Sequence, residues 1–223
     1  MLLLDTDYIA YKSAQACEEG IDFGDDVIIT QSNFSEVLKV FGRELRKITT
    51  AMMDDEVMLY FSSPKNFRKE IYPNYKGHRN RRKPLGYARL VNWCKENFAT
   101  VIRDDLEADD ALGIDATCHQ LETQPILVSP DKDMRQIPGH VFTMEETLHI
   151  TPEKGAKWHL IQTLAGDQTD GYSGVPGIGI KRAVALFEED GYSWETVVKA
   201  FAKKELGEEV ALMNASKAPQ LTG

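Results

Sequence analysis

The stretch LAGDQTDGYSGVPGIGIKRA, Leu164 to Ala183, sets Asp167 and Asp170 three residues apart and follows them with four glycines, a proline and a lysine. Further acids fall in three places far apart in the sequence: Asp5 at the end of MLLLD, Glu107, Asp109 and Asp110 in LEADD, and Asp131 and Asp133 in VSPDKD. So many carboxylates in one crevice would repel one another unless cations sat among them. Oxygen-only ligation without His or Cys suits Mg²⁺ or Mn²⁺. Two such ions about 4 Å apart would activate a water and stabilise the leaving oxygen of a phosphodiester. Taken singly, each group also has a structural use: first-turn acids complement a helix dipole, and aspartates form turns.

The elements that must position these acids follow from apolar periodicity. MLLLD reads as a buried strand ending at Asp5, followed by an amphipathic stretch from Tyr8 to about Cys17. Residues 20–24 and DVIIT read as a loop or hairpin. Ser32 to Met53 repeats apolar residues at helical spacing behind a Ser32 or Asn33 cap. VMLYFS, TVIR, PILVSP and HVFTM are strand candidates, and helices are expected over about Leu85–Phe98, from LEADD onward, and from Pro152 to about Ala165. Alternating strands and helices predict an α/β fold with a mainly parallel central sheet flanked by helices. In such a sheet ligands lie beyond the carboxyl ends of the strands. Asp5, Glu107–Asp110 and Asp131–Asp133 are therefore expected to converge there. Spacing puts Glu107 and Asp110 on one helix face, and Asp131 and Asp133, in extended chain, on one side. After Gly166 the glycine-rich turns suggest a small helical subdomain, giving expected domains of 1–166 and 167–223.

Composition narrows the classes. With 42% hydrophobic and 27% charged residues the chain reads as an ordinary soluble globular protein. MLLLD is too short for a signal-peptide core, nothing later reaches membrane-spanning length, and a cytoplasmic setting is expected. Cys17, Cys94 and Cys118 have no CxxC spacing and read as reduced packing residues. The formal net charge of −9 hides a basic segment. Residues 65–89 hold nine Lys/Arg against the single acid Glu70, while the rest of the chain has 17 basic and 34 acidic residues. A local anion-binding surface beside an acidic cluster is one reading of this; a solvated helix face is the other. In GVPGIGIKRA, Gly174, Gly177 and Gly179 let backbone approach a ligand, a helix begins near Ile180, and Lys181 and Arg182 add charge. That is a phosphate cradle or a plain helix–turn–helix joint.

Five segments, taken in order, resemble the 5′ nuclease family of flap endonucleases, bacteriophage 5′–3′ exonucleases and the 5′ nuclease domain of bacterial DNA polymerase I. They are LLLDTD, NFRKEIYPNYKGHR, LEADD, VSPDKD and GDQTDGYSGVPGIGIKRA. The bacteriophage branch is the nearest. The resemblance implies a PIN/5′ nuclease-like sheet with a short basic arch at about 64–90 and a C-terminal helix–hairpin–helix subdomain. It implies Asp5, Glu107, Asp109, Asp110, Asp131, Asp133, Asp167 and Asp170 as ligands of two Mg²⁺ or Mn²⁺ ions, with Asp5, Glu107, Asp109 and Asp131 nearer one and Asp133, Asp167 and Asp170 nearer the other. Lys76 and Arg79 would act on the scissile phosphate, and Tyr75 would stack on a terminal base. Arg68, Arg81, Arg82 and Lys83 would contact DNA. Gly174, Gly177, Gly179, Lys181 and Arg182 would hold duplex backbone, where a K⁺ ion on the hairpin carbonyls is a further expectation. The implied partner of a monomeric enzyme is DNA with a 5′ end, nick or flap, extending to RNA–DNA hybrids. Two departures stand out: Ser62 occupies a place where many relatives have aspartate, and RNRRKPLGYARL leaves room only for a short arch. The chain's end at residue 223 suggests a minimal duplex-binding part. The competing readings are a catalytically weak structure-specific DNA-binding protein and a PIN-type ribonuclease.

Overall fold

The structure, a computed structural model, describes residues 1–79, 82–118 and 124–204, together with Ala215 and Gln220. Arg81, expected to contact DNA, lies outside the described residues. In chain order the elements are β1 (Leu2–Asp5), α1 (Thr6–Gln15), β2 (Glu18–Asp22), β3 (Ile28–Ser32), α2 (Phe34–Met52), β4 (Val57–Tyr60), α3 (Arg68–Ile71) and α4 (Tyr87–Asn97). Then come β5 (Thr100–Val101), α5 (Ala108–Thr117), β6 (Ile126–Val128), a 3-10 helix (Lys132–Gln136), β7 (Gly139–Phe142), β8 (Thr147–Ile150), α6 (Pro152–Ala165), α7 (Ile180–Asp190) and α8 (Trp194–Ala202). Short α3, the 3-10 helix and β8 are elements that apolar periodicity did not announce. Among the described residues no helix is long and apolar enough to cross a membrane.

The chain divides into two compact units. A sheet unit gathers Met1–Pro64, Arg81–Asp131 and Gly139–Leu148; a helical unit gathers Lys65–Asn80, Lys132–Pro138 and His149–Gly223. The division differs from a single cut after residue 166 because α6 packs with the helices C-terminal to it. Ile161 and Leu164 of α6 share a core with Val175, Ala183, Phe187 and Val197.

The sheet has the order β5-β4-β1-β6-β7-β8. β1 pairs in parallel with β4 on one side and β6 on the other, and β4–β5 and β6–β7 are also parallel. Leu2, Leu3 and Leu4 are fully buried, as expected for a parallel strand covered on both faces. Each such leucine contributes about 1.5–3 kcal/mol through burial. α2 shows how sequence becomes scaffold. The Asn33 side chain accepts the Ser35 N–H at 3.0 Å to start it, and Val37, Phe41, Leu45 and Ile48 bury one face. Met53, left-handed at φ 52°, ends it. Because the chain adds β4 and β5 on one side of β1 and then β6 and β7 on the other, the carboxyl end of β1 is the switch point of the sheet, and Asp5 stands there. The three cysteines are free; Cys94 is buried, with its thiol pushed up to about 12, and Cys17 is half-buried, but Cys118 is exposed, so the expected packing role does not extend to it.

Candidate functional site

In the sheet unit the acids are placed by strand ends and by the start of one helix. Asp5 Oδ2 accepts the Ser129 hydroxyl at 2.9 Å, and Ser129 Oγ accepts the Asp131 N–H at 3.1 Å. This small relay joins the carboxyl ends of β1 and β6. Asp5 is pushed up to about 7: desolvation is the largest cause, followed by the charge of Asp7, with Asp131 adding to it against the Ser129 hydrogen bond. Asp7 is a residue that sequence reasoning missed, although the D-x-D spacing at the strand end was a signal for it. Its carboxylate accepts the Ser62 N–H at 3.0 Å and the Tyr87 hydroxyl at 2.5 Å.

Glu107 is the N-cap of α5, and its N–H donates to Asp110 Oδ2 at 3.0 Å. Asp110 thus does cap the helix, the structural use that its position allowed. Asp109 Oδ1 accepts the Asp110 N–H at 2.9 Å. Ser62 Oγ accepts the Ala108 N–H at 3.0 Å, and the Ser63 N–H donates to the Leu106 carbonyl at 2.9 Å. The serine in the place of an expected aspartate therefore anchors the acid-bearing helix to the end of β4.

In the helical unit Asp133, Asp167 and Asp170 each offer a carboxylate oxygen within 4.8 Å of the others, and all three are buried. Among the described residues this is the trio with single-ion spacing; the acids of the sheet unit do not form a second. Asp133 does not reach this place through extended chain. It lies in the 3-10 helix, so the i, i+2 spacing that put it beside Asp131 does not apply. Gln136 Nε2 donates to Gln162 Oε1 at 2.8 Å, and Gln162 in turn donates to Asp133, fixing its orientation. Asp167 Oδ1 accepts both the N–H and the hydroxyl of Thr169, at 2.8 and 2.5 Å, and Oδ2 accepts Lys132. Burial works to raise the Asp167 pKa, but hydrogen bonds from Lys132 and Thr169 overcome it and hold the carboxyl below its usual range. Lys132 and Thr169 lie within VSPDKD and GDQTDGYSGVPGIGIKRA, between acids of those motifs, whereas Gln136 and Gln162 carry no motif signal and are brought here by the fold.

The loop bearing Asp167 and Asp170 is closed on itself. Asp167 and Tyr172 exchange backbone hydrogen bonds at 2.9 and 2.7 Å, and the Val175 N–H donates to the Leu164 carbonyl at 2.8 Å. Gly166 and Gly174 pass so closely that a Cβ on Gly166 would meet the Gly174 nitrogen at 2.4 Å, and both have positive φ.

The segment YKGHR is clasped to this loop. The Lys76 N–H donates to the Asp170 carbonyl at 2.9 Å, with Lys76 itself held at φ 53°. A left-handed lysine is a strained placement, maintained here by the contact. Arg79 Nη2 lies 2.9 Å from Asp170 Oδ1 and 3.0 Å from the Thr169 carbonyl, and Lys76 Nζ is 3.6 Å from Asp170 Oδ1. Tyr75 requires a correction: it is only 2% exposed and its hydroxyl donates to Asp170 Oδ2 at 2.9 Å. A ring so buried orients a carboxylate and does not stack on a base. Arg68 is corrected likewise; it is 1% exposed, with its guanidinium against the rings of Phe67 and Tyr75. Arg82 pairs with Glu18 at 2.6 Å, and Lys83 lies 4.2 Å over the Tyr87 ring.

Beyond the loop, Gly177 has positive φ and Gly179 caps α7, whose first turn carries no acid. Arg182 Nη1 donates to the Gly177 carbonyl at 2.7 Å, closing the turn, while Lys181 is exposed.

Residues 1–159 match the family described as 5′-3′ exonuclease, N-terminal resolvase-like domain. The chain is 30% identical over 191 residues to an exodeoxyribonuclease of Enterobacteria phage T3, covering 80% of this chain and 63% of that protein. It is 29% identical over 191 residues to an exonuclease of Escherichia phage T7, with 80% and 64% covered. It thus spans a little under two thirds of the length of these relatives. Among solved structures it resembles the bacteriophage T5 flap endonuclease in a pseudo-enzyme–product complex with DNA and metal ions. There the TM-score is 0.68 at 16% identity, over 99% of this chain and 90% of that one. At that identity the likeness establishes the fold, a mainly parallel sheet flanked by helices.

Proposed function

We propose, on the premise that the chain belongs to the 5′-3′ exonuclease N-terminal resolvase-like family, that it is a divalent-metal-dependent 5′ nuclease hydrolysing phosphodiesters near the 5′ ends of duplex, nicked or flapped DNA. The observation that carries this reading is the buried trio Asp133, Asp167 and Asp170 with the Lys76–Arg79 loop clasped on Asp170. Three buried carboxylates with no His or Cys fit a hard cation such as Mg²⁺ or Mn²⁺. Asp5, Glu107, Asp109, Asp110 and Asp131 are the proposed ligands of another ion, which would offset the burial and the neighbouring charges of Asp7 and Asp131 that raise the Asp5 pKa. Bound ions would supply Lewis acidity, lowering the pKa of water and neutralising phosphate charge.

The chain's own residues do the rest. Lys76 and Arg79 are to turn from Asp170 to the scissile phosphate and offset the charge that develops on it. Tyr75 and the Gln136–Gln162 pair hold ligands in place. Residues 167–223 are proposed as a helix–hairpin–helix element, with the α7 N-terminus, Gly174, Gly177, Gly179 and Lys181 gripping duplex backbone. Arg182 supports the turn, and a K⁺ ion on the turn's carbonyls belongs to the same proposal. Backbone contacts discriminate poorly between strands, so RNA in hybrids is a further proposed substrate. The basic segment at about 64–90 is the proposed arch of a monomeric, cytoplasmic enzyme. Ser62, by anchoring α5, supports an enzyme that works without an acid at that position.

The test is a cleavage panel in Mg²⁺ and Mn²⁺ with 5′-labelled nicked, flapped, blunt, single-stranded and RNA–DNA hybrid substrates. Metal-dependent release of short products from 5′ ends is expected. Gel shifts without turnover would leave a DNA-binding protein, and cleavage confined to single-stranded RNA would make it a PIN-type ribonuclease.

A further inference from the structure

The trio is already met by cations of the chain itself. Arg79 and Lys76 face Asp170, and Lys132 lies against Asp167 with its ammonium 3.6 Å from Asp133 Oδ1. Three carboxylates therefore stand opposite three fixed positive charges. Lys76 and Arg79 have a use beyond this pairing, since they are the residues assigned to the phosphate. Lys132 neighbours Asp133 in the 3-10 helix and spans two of the three carboxylates. With Thr169 donating twice to one oxygen of Asp167 and Lys132 on the other, an ion approaching Asp167 meets the ammonium at the less occupied oxygen.

We propose that Lys132 is an internal counter-cation of the Asp133–Asp167–Asp170 site, holding the carboxylates together in the metal-free protein and leaving when the divalent ion enters. The inference rests on the metal reading given under Proposed function. The lysine is 42% exposed at its side chain, so it has somewhere to go. Its flexible stem and compact ammonium suit a group that vacates a site, as a bidentate arginine would not. The consequence is a set threshold: each ion bound must outcompete a tethered positive charge, and the site fills only at a higher free-ion concentration than the bare carboxylates would need.

The experiment counts bound Mn²⁺ by electron paramagnetic resonance on the full chain, stripped with EDTA, for the wild type, Lys132→Met, Lys132→Gln and Asp167→Asn. Both lysine variants are expected to bind the ion at the trio more tightly, on the order of ten-fold. The glutamine variant retains a donor between the acids and covers the case in which the methionine variant does not fold without metal. Asp167→Asn is expected to lose that ion. Unchanged or weaker binding in both lysine variants, with the ion lost in Asp167→Asn, overturns the counter-cation and leaves the metal site standing. Full Mn²⁺ stoichiometry in Asp167→Asn overturns both. In the wild type, amine labelling of Lys132 followed by mass spectrometry should speed up when Mn²⁺ is added; a constant or slower rate counts against displacement.

Discussion

The two units solve the problem of crowded acids in opposite ways. In the sheet unit, Asp5 is desolvated and faces Asp7 and Asp131 with the Ser129 hydroxyl and the Asp7 backbone N–H in support, and its carboxyl is still pushed up to about 7. In the helical unit every member of the acidic trio has a strong donor: Gln162 on Asp133, Lys132 and Thr169 on Asp167, and Arg79 with Tyr75 on Asp170. Asp167 is correspondingly held low. At Asp5 the surroundings oppose the charge; the helical trio has cations of the chain at ion-pair distance. Metal removal should therefore raise the electrostatic cost at Asp5, while Lys132, Lys76 and Arg79 remain beside the carboxylates of the helical trio.

The contrast can be broken most decisively at the trio. Asp133→Asn should reduce single-turnover cleavage by at least about a thousand-fold while duplex binding in a gel shift persists. Turnover near the wild-type rate would remove Asp133 from the metal site. Next in size, Lys76→Ala should lower the single-turnover rate about a hundred-fold, with a much smaller change in affinity. The reverse split would make Lys76 a positioning contact.

The sheet unit makes a pH prediction. Asp5 in the folded protein holds its proton up to about pH 7, against 3.8 for the ordinary carboxyl. Between those values the native state binds more protons than the unfolded chain. The contribution of this group is thus fully present at pH values below about 4 and is lost as pH rises through about 7. Divalent ions relieve the penalty, so the Mg²⁺-induced rise in Tm should be greater at pH 8 than at pH 5.5. Asp5→Asn should raise the Tm of the metal-free protein at pH 8 and flatten this dependence. An equal metal shift at both pH values would refute the electrostatic account. The smallest effect belongs to Tyr75→Phe, which removes one hydrogen bond to Asp170 and should cost about 1 kcal/mol in denaturant unfolding. No loss would mean that Arg79 alone fixes Asp170.

The scaffold was largely legible because its signals are local. Three buried leucines before Asp5, an Asn33 cap ahead of helical apolar spacing, and Pro152 at a helix start each depend on neighbours in the sequence. The carboxylates could be found by type and by position after strands. What the spacing misjudged was direction. An i, i+2 pair suggests extended chain at Asp133, but the backbone turns into a 3-10 helix after Asp131. Tyr75 and Arg68 belong to a basic segment whose composition suits solvent, yet both are buried because the YKGHR loop packs against the loop of Asp170. Gln162 belongs to α6, where nothing nearby in sequence announces that it supports Asp133. A residue's type survives in the sequence; the partner its side chain meets is decided by packing over long separations.

The close passage of Gly166 and Gly174 bears on how this chain can change over generations. A side chain at either position would collide with backbone at the other, with gaps near 2.4 Å, so no smaller neighbour exists to make room for it. Core positions drift by paired exchange, a larger residue here offset by a smaller one there. This pair has nothing left to shrink. Second-site suppressors of a Gly166→Ala lesion should then be absent at residue 174, leaving the loop of Asp167 and Asp170 a fixed point around which the rest of the helical unit varies.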